Sequence, residues 1–276
     1  MNAHNLIRLQ GSLYNTPQLI TPEAFDPILA YLSSRNNPEF LFKPSANQDV
    51  APKKATVMGD VGEVLVSGAL TYKTVNAMCG DVGSSYQGIL EQSAELIANG
   101  VTKLVTVHDS GGGEASHCFD TANQLRTMCD EAGVKWYAYI DTYSASASLA
   151  LGIAADEIIS HPDSSTGSIG CVSCLIDKSK AYEMVGIKPV YIASTKGKTP
   201  FQADGSFSED FLIKMQEDVT RLGIQFAEHV SKYTGLPVED ILAMDAQMFH
   251  ADEALAAGLV NKIMTHKQFL AYLETN

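Results

Sequence analysis

Leu104-Val105-Thr106-Val107 is an apolar, β-branched run, and Asp109-Ser110-Gly111-Gly112-Gly113-Glu114 follows it with a glycine turn. Such a run bounded by glycines reads as a buried strand opening into a loop. Beyond the loop, Ala115, Cys118, Phe119, Ala122, Leu125, Cys129 and Ala132 recur at helical spacing as far as Gly133, and Val134 to Ile140 reads as the next strand. The same alternation lies upstream, where Val64-Leu65-Val66 runs into Gly68 and Tyr86, Ile89, Leu90, Ala94 and Ile97 mark a helix that stops at Gly100. Downstream, a small-residue helix from about Ser144 to Ala155 precedes Glu157-Ile158-Ile159-Ser160. Alternating strands and helices predict an α/β fold of right-handed βαβ units around a mostly parallel sheet. No repeat of fixed period is present.

The 276 residues, 45% of them hydrophobic, suffice for one substantial core. Residues 1–54, with Leu13-Tyr14-Asn15-Thr16-Pro17, a helix from Pro22 to Ser33 and a polar Pro-containing stretch, read as an N-terminal arm and linker; residues 55–276 read as the main domain. Further on, Phe211, Leu212, Met215, Val219, Leu222, Phe226 and Val230 give Glu209 to Tyr233 the pattern of a long amphipathic helix, packed on the core or on a neighbouring subunit. With 19 basic and 32 acidic residues the net charge is −13, which disfavours nucleic-acid binding and anionic membranes. Neither a membrane-length apolar run nor a secretory start is read, so a cytoplasmic location is expected. The five cysteines form no disulfide framework, and Cys171-Val172-Ser173-Cys174 reads as packing rather than a metal or redox site. No cofactor is implied.

In parallel α/β sheets ligands collect beyond the carboxyl ends of strands. Two loops fall there: the glycine turn, which alone reads equally as a tight turn before a helix, and Tyr143-Ser144-Ala145-Ser146-Ala147-Ser148-Leu149. Small residues around a serine let a strand turn sharply into a helix and expose one hydroxyl at its start, beside backbone N–H groups able to face an oxyanion. Local physics does not rank Ser144, Ser146 and Ser148, since any of them is a good helix cap. A lysine beside Gly197, Thr199 and Pro200 reads by itself as a solvated loop residue.

Several motifs in order resemble the signal peptide peptidase A family of serine peptidases, similar in fold to the Clp protease and crotonase superfamily. Ala145-Ser146-Ala147-Ser148-Leu149 running to Ala154-Ala155-Asp156 resembles the family's serine motif and selects Ser146. Asp109-Ser110-Gly111-Gly112-Gly113 is similar to its Asn-Ser-Pro-Gly-Gly turn, and Gly167-Ser168-Ile169-Gly170 matches its Gly-Ser-Ile-Gly signature. Ala251-Asp252-Glu253-Ala254 to Gly258-Leu259-Val260-Asn261 resembles the closing motif, with Asn261 replacing Asp. The family's lysine lies about fifty residues past the serine, and Lys198 is 52 residues past Ser146, with Lys196 the other candidate. The start Leu13-Tyr14-Asn15-Thr16-Pro17-Gln18-Leu19-Ile20, followed by Pro22, resembles bacteriophage head-maturation proteases.

The resemblance implies Ser146 as nucleophile, Lys198 as general base, Ser168 holding the lysine amine, and an oxyanion site from the backbone of Gly113 and Ala147 with Gly112 lining the substrate site. An exposed lysine, with a reference pKa of about 10.4, is protonated at neutral pH, so burial must free its lone pair. It further implies a protein or peptide substrate such as a phage scaffold, and a homo-oligomer, in the host cytoplasm or the phage prohead. A Clp-like triad would need histidine where Cys171 stands; His108 borders the turn, His161 reads as structural, and His229 and His250 read as surface. A crotonase-like acyl-CoA enzyme using Glu114 and Asp141, and a catalytically silent capsid or scaffold-binding protein, are the rival readings.

Overall fold

The computed structural model describes residues 16–34, 55–73, 83–202 and 204–276. Leu13 to Asn15, the stretch 35–54 and Cys79 lie outside the described residues. In chain order the first elements are β1 (Gln18–Ile20), α1 (Pro22–Ser34), β2 (Thr56–Met58) and β3 (Val61–Ser67). Next come α2 (Tyr86–Ala98), β4 (Lys103–Ser110), β5 (Gly112–Glu114), α3 (Cys118–Ala132), β6 (Lys135–Ala145), α4 (Ala147–Gly152), β7 (Glu157–Ser160) and β8 (Ser165–Gly167). The chain ends with α5 (Ser179–Met184), α6 (Glu209–Thr234), α7 (Val238–Ala243), β9 (Met248–His250), α8 (Ala251–Ala256), β10 (Lys262–Ile263) and α9 (His266–Thr275).

The main sheet runs β10-β7-β6-β4-β3-β2, with β8 continuing beside β6 and β9 beside β8. Pairings β3–β4, β4–β6, β6–β7, β6–β8 and β7–β10 are parallel; β2–β3 and β8–β9 are antiparallel. The expected mostly parallel α/β sheet is therefore present. Side chains alternate across it, as the period of two requires. Trp136, Ala138 and Ile140 join the larger core with α2, α3, α4 and the C-terminal half of α6, while Tyr137 and Tyr139 face Phe269 and Leu273 of α9. Gly133 ends α3 in the left-handed conformation (φ +66°), which glycine adopts at no steric cost.

Two of the motifs hold this sheet together. Asp156 accepts the Trp136 N–H at 2.7 Å and pairs with Arg126 at 2.9 Å, and Asn261 accepts the Ile158 N–H at 2.7 Å through Oδ1. Glu157 lies between Lys135, Lys262 and Tyr272, whose hydrogen bonds more than offset its desolvation and hold its carboxyl at about 2.

Three expectations need correction. Strand β6 does not stop at Ile140: its ladder to β4 resumes past a bulge at Ser110↔Ser144, and Tyr143 to Ala145 pair with β8, so the backbone stays extended up to Ala145. The following helix is accordingly only Ala147–Gly152. His229 is buried rather than on the surface, because it shares the core-facing side of α6 with Phe226 and Val230; its Nε2 lies 2.8 Å from Ala150 O, and burial lowers its pKa.

Candidate active site

Strand β6 delivers Ser146 to the tip of the sheet, where it is the N-cap of α4 with φ +55° and ψ −118°. For a residue with a Cβ this backbone costs about 1–3 kcal/mol and persists only where surroundings enforce it. The enforcement is visible: the Ser146 N–H donates to Gly167 O at 2.9 Å, the Ala150 N–H donates to Ser146 O at 2.9 Å, and Cys118 Sγ contacts Ala147 O at 3.4 Å. Ser146 is 0% exposed, and its Oγ is a buried atom with no hydrogen-bond partner among the described residues.

The glycine turn packs directly against this bend. At Gly112 (φ +98°) a Cβ would lie 3.0 Å from both Ala147 N and Ser146 Cβ, so only glycine lets the two loops approach this closely. Gly113 is equally constrained, since a Cβ there would sit 2.0 Å from Leu70 O. The Gly112 N–H is taken by Ser110 Oγ at 3.1 Å. Ala147, as the first residue of α4, has no intrahelical acceptor for its N–H, which is the arrangement that attracts an anion. Gly112, Gly113, Ser146 and Ala147 thus come together at the ends of β4 and β6. Gly167 and Ser168 buttress the bend through their backbone: Ser168 adopts φ +55° and its N–H donates to Gln247 O at 2.9 Å.

Lys198 is placed differently. It sits on an exposed 3₁₀ turn, Lys196–Lys198, and makes no hydrogen bond to Ser146 in the single chain. The segment leading to it exposes Met184, Val185, Ile187, Val190 and Ile192, the last at 96%. Of the rival carboxylates, Glu114 is buried with Oε2 accepting the Tyr72 N–H at 2.7 Å, while Asp141 is exposed.

Beneath the bend lies a polar cluster that motif reading does not single out. His108 Nδ1 is 2.9 Å from Ser148 Oγ, its Nε2 is 3.0 Å from Thr106 Oγ1, and Ser144 Oγ is 3.1 Å from Ser148 Oγ. The Trp136 indole N–H also donates to Thr106 Oγ1, at 3.0 Å. Burial alone pushes the His108 pKa down to about 3, so the ring is neutral. Ser144 and Ser148 are therefore occupied structural hydroxyls, whereas the Ser146 hydroxyl has no partner among the described residues. The available signal was the period-two placement of Thr106 and His108 on one face of β4.

Residues 129–276 match peptidase family S49, and the chain belongs to this family. It is 25% identical over 223 residues to Capsid assembly protease C of Escherichia phage lambda, covering 79% of this chain and 50% of that protein. It is also 23% identical over 220 residues to Head-tail preconnector protein GP5 of Enterobacteria phage P21, covering 79% of this chain and 44% of that protein. The chain thus spans about half the length of these curated relatives. Among solved structures, a ClpP1 mutant from Listeria monocytogenes matches with a TM-score of 0.46 and 13% identity over 75% of this chain and 94% of that one. A membrane-bound stomatin-specific protease mutant in complex with a substrate peptide matches with a TM-score of 0.44 and 12% identity, over 75% and 77% of the two chains. No helix among the described residues is long and apolar enough to cross a membrane.

Proposed function

We infer that this chain is a serine endopeptidase in which Ser146 is the nucleophile and Lys198 the general base. The observation that carries the reading is the Ser146 hydroxyl: a buried polar group without a partner costs about 1–3 kcal/mol, on a residue already in a strained conformation. Such a double cost at the mouth of two converging loops is the mark of a functional position. In the reaction Ser146 Oγ bonds to the scissile carbonyl carbon while its proton passes to Lys198 Nζ. The N–H groups of Gly113 and Ala147 hold the resulting oxyanion, each such donor being worth about 3 kcal/mol in comparable sites. Collapse of the intermediate breaks the C–N bond, the lysine returns the proton to the departing amine, and water then releases the acyl group.

This chemistry requires Lys198 to leave solvent. Covering the apolar segment 184–192 with another copy of the chain would desolvate the lysine amine and move it toward a serine site, so the active species is a homo-oligomer. Similarity to phage head proteins adds that the natural substrate is a scaffold or other head protein during capsid maturation. The division at residue 54 into an N-terminal segment and a peptidase domain, 55–276, is part of the same proposal, with Leu19 of the first packing into the core of the second. Ser168, beside the bend, orients the lysine amine.

The test is cleavage of casein by purified variants. Ser146→Ala is expected to abolish cleavage without lowering the melting temperature, since it removes a buried hydroxyl that has no partner among the described residues, while Ser144→Ala and Ser148→Ala keep measurable activity. Cleavage by Ser146→Ala at the wild-type rate would refute the nucleophile.

A further inference from the structure

Strand β1 runs alongside the glycine turn. It is not part of the main sheet: it pairs antiparallel with β5 in the register Gln18↔Glu114, Leu19↔Gly113 and Ile20↔Gly112. Its other edge is also paired, with the Gln18 N–H donating to Val172 O at 2.7 Å and the Val172 N–H donating to Gln18 O at 3.0 Å. Because antiparallel strands alternate the direction of their bonds, a Gln18 that faces Val172 leaves the Leu19 N–H and C=O facing Gly113. The Thr21 N–H, donating to Gly111 O at 2.9 Å, continues the same alternation.

The Leu19 carbonyl is aimed at the bend. Its oxygen lies 2.2 Å from the point where a Gly112 Cβ would stand, and Ser146 Cβ lies 3.0 Å from that same point. Laid end to end, those two distances are the greatest separation the oxygen and the serine carbon can have. The Leu19 side chain is completely buried and belongs to the main core, together with Leu70 and Ala147. Ile20 and Phe25 pack separately with Ala24, Ile28, Leu29 and Cys174.

The geometry points to a peptide groove walled by β5 on one side and Val172 on the other, whose resident in this state is the chain's own Gln18–Ile20. Its ligand is an extended peptide that pairs with both walls and places an apolar side chain where Leu19 sits. By filling the groove β1 covers Ser146, so substrate enters only when β1 retreats. Retreat costs β1 its pairing with β5 and Val172 and the burial of Leu19. The identity of the competing ligand as substrate rests on the peptidase reading above; the occlusion does not.

Occlusion is measured without catalysis by placing a thiol at the bend, Ser146→Cys, and following its maleimide modification by peptide mapping, which separates it from the native cysteines. Two added substitutions weaken β1 from opposite walls: Gln18→Pro removes the donor to Val172 O, and Val172→Pro removes the donor to Gln18 O. Each is expected to raise the modification rate roughly tenfold, with circular dichroism showing the fold retained. A synthetic peptide of the sequence Thr16 to Thr21, capped at both ends, should slow modification of either weakened variant, and the same peptide with aspartate at the Leu19 position should not. Rates within twofold of the unweakened protein in both variants, or equal protection by the aspartate peptide, would overturn the assignment. Phosphonate labelling of Gln18→Pro and Val172→Pro chains that keep the native Ser146 judges the peptidase reading separately: no adduct there, with Ser146→Cys modified faster in the same backgrounds, fails that reading alone, so the two failures are distinguishable.

Discussion

Gly113→Ala places a methyl carbon 2.0 Å from Leu70 O and 2.6 Å from Leu70 C and N, all backbone atoms. No rotamer change relieves such a contact, so the segment at Leu70 must separate from β5. That segment is held by the Leu70 N–H donating to Gly112 O and the Glu114 N–H donating to Leu70 O, both at 2.9 Å. Two lost backbone bonds at about 1 kcal/mol each, with an overpacking cost of about 1–3 kcal/mol, give a destabilisation of about 3–5 kcal/mol. In a chain of 276 residues each kcal/mol lowers the melting temperature by about 2 °C, so a fall of about 6–10 °C is expected by circular dichroism. Reactivity of Ser146 toward a fluorophosphonate should fall as well, because Gly113 carries one of the proposed oxyanion donors. A melting temperature within about 2 °C of the wild type, together with unchanged labelling, would refute the close packing on which the proposed oxyanion site is built.

Other expectations follow from the proposed mechanism and from the buried histidine. Lys198→Arg should be inactive, since a guanidinium does not give up its proton at accessible pH, while Lys196→Ala should cleave at near the wild-type rate; the reverse pattern, read in the casein assay, would move the base by two residues. His108 is held near 3 in the folded chain against an ordinary 6.5, so the unfolded chain takes up a proton first as pH falls. Its contribution to stability is complete above about 6.5 and declines toward 3, at up to about 1.4 kcal/mol per pH unit. Urea titrations between pH 6.5 and 5.5 stay above the range in which Glu157 of the unfolded chain takes up its proton, and His108→Gln should show a shallower slope there; equal slopes would show that the ring is not buried neutral.

The repeating core of the fold was legible because each helix and strand carries its own local pattern. The glycine that ends α3, the apolar period of α2 and the β-branched run of β4 each specify an element without reference to distant residues. The extension of β6 was not legible. Asp141 and Thr142 interrupt the apolar run, and pairing with β8 on one side and with Ser110 of β4 on the other keeps Tyr143 to Ala145 extended. His229 was misread for a related reason: a single polar residue on an apolar stripe gives no sign of the Ala150 carbonyl that satisfies it. At the site, the serine bend and the glycine turn were legible through small residues that only a close approach requires. The pairing of β1 with β5 joins residues nearly a hundred positions apart and has no local signature. The location of Lys198 rests on a match of spacing alone, and in the single chain that side chain is in solvent.

The most direct measurement is to treat the wild-type protein with a fluorophosphonate, digest it and locate the adduct by mass spectrometry. The account expects one adduct, on Ser146, absent from Ser146→Ala and from denatured protein. An adduct on Ser144 or Ser148, or cleavage of casein by protein in which Ser146 stays unmodified, would contradict it.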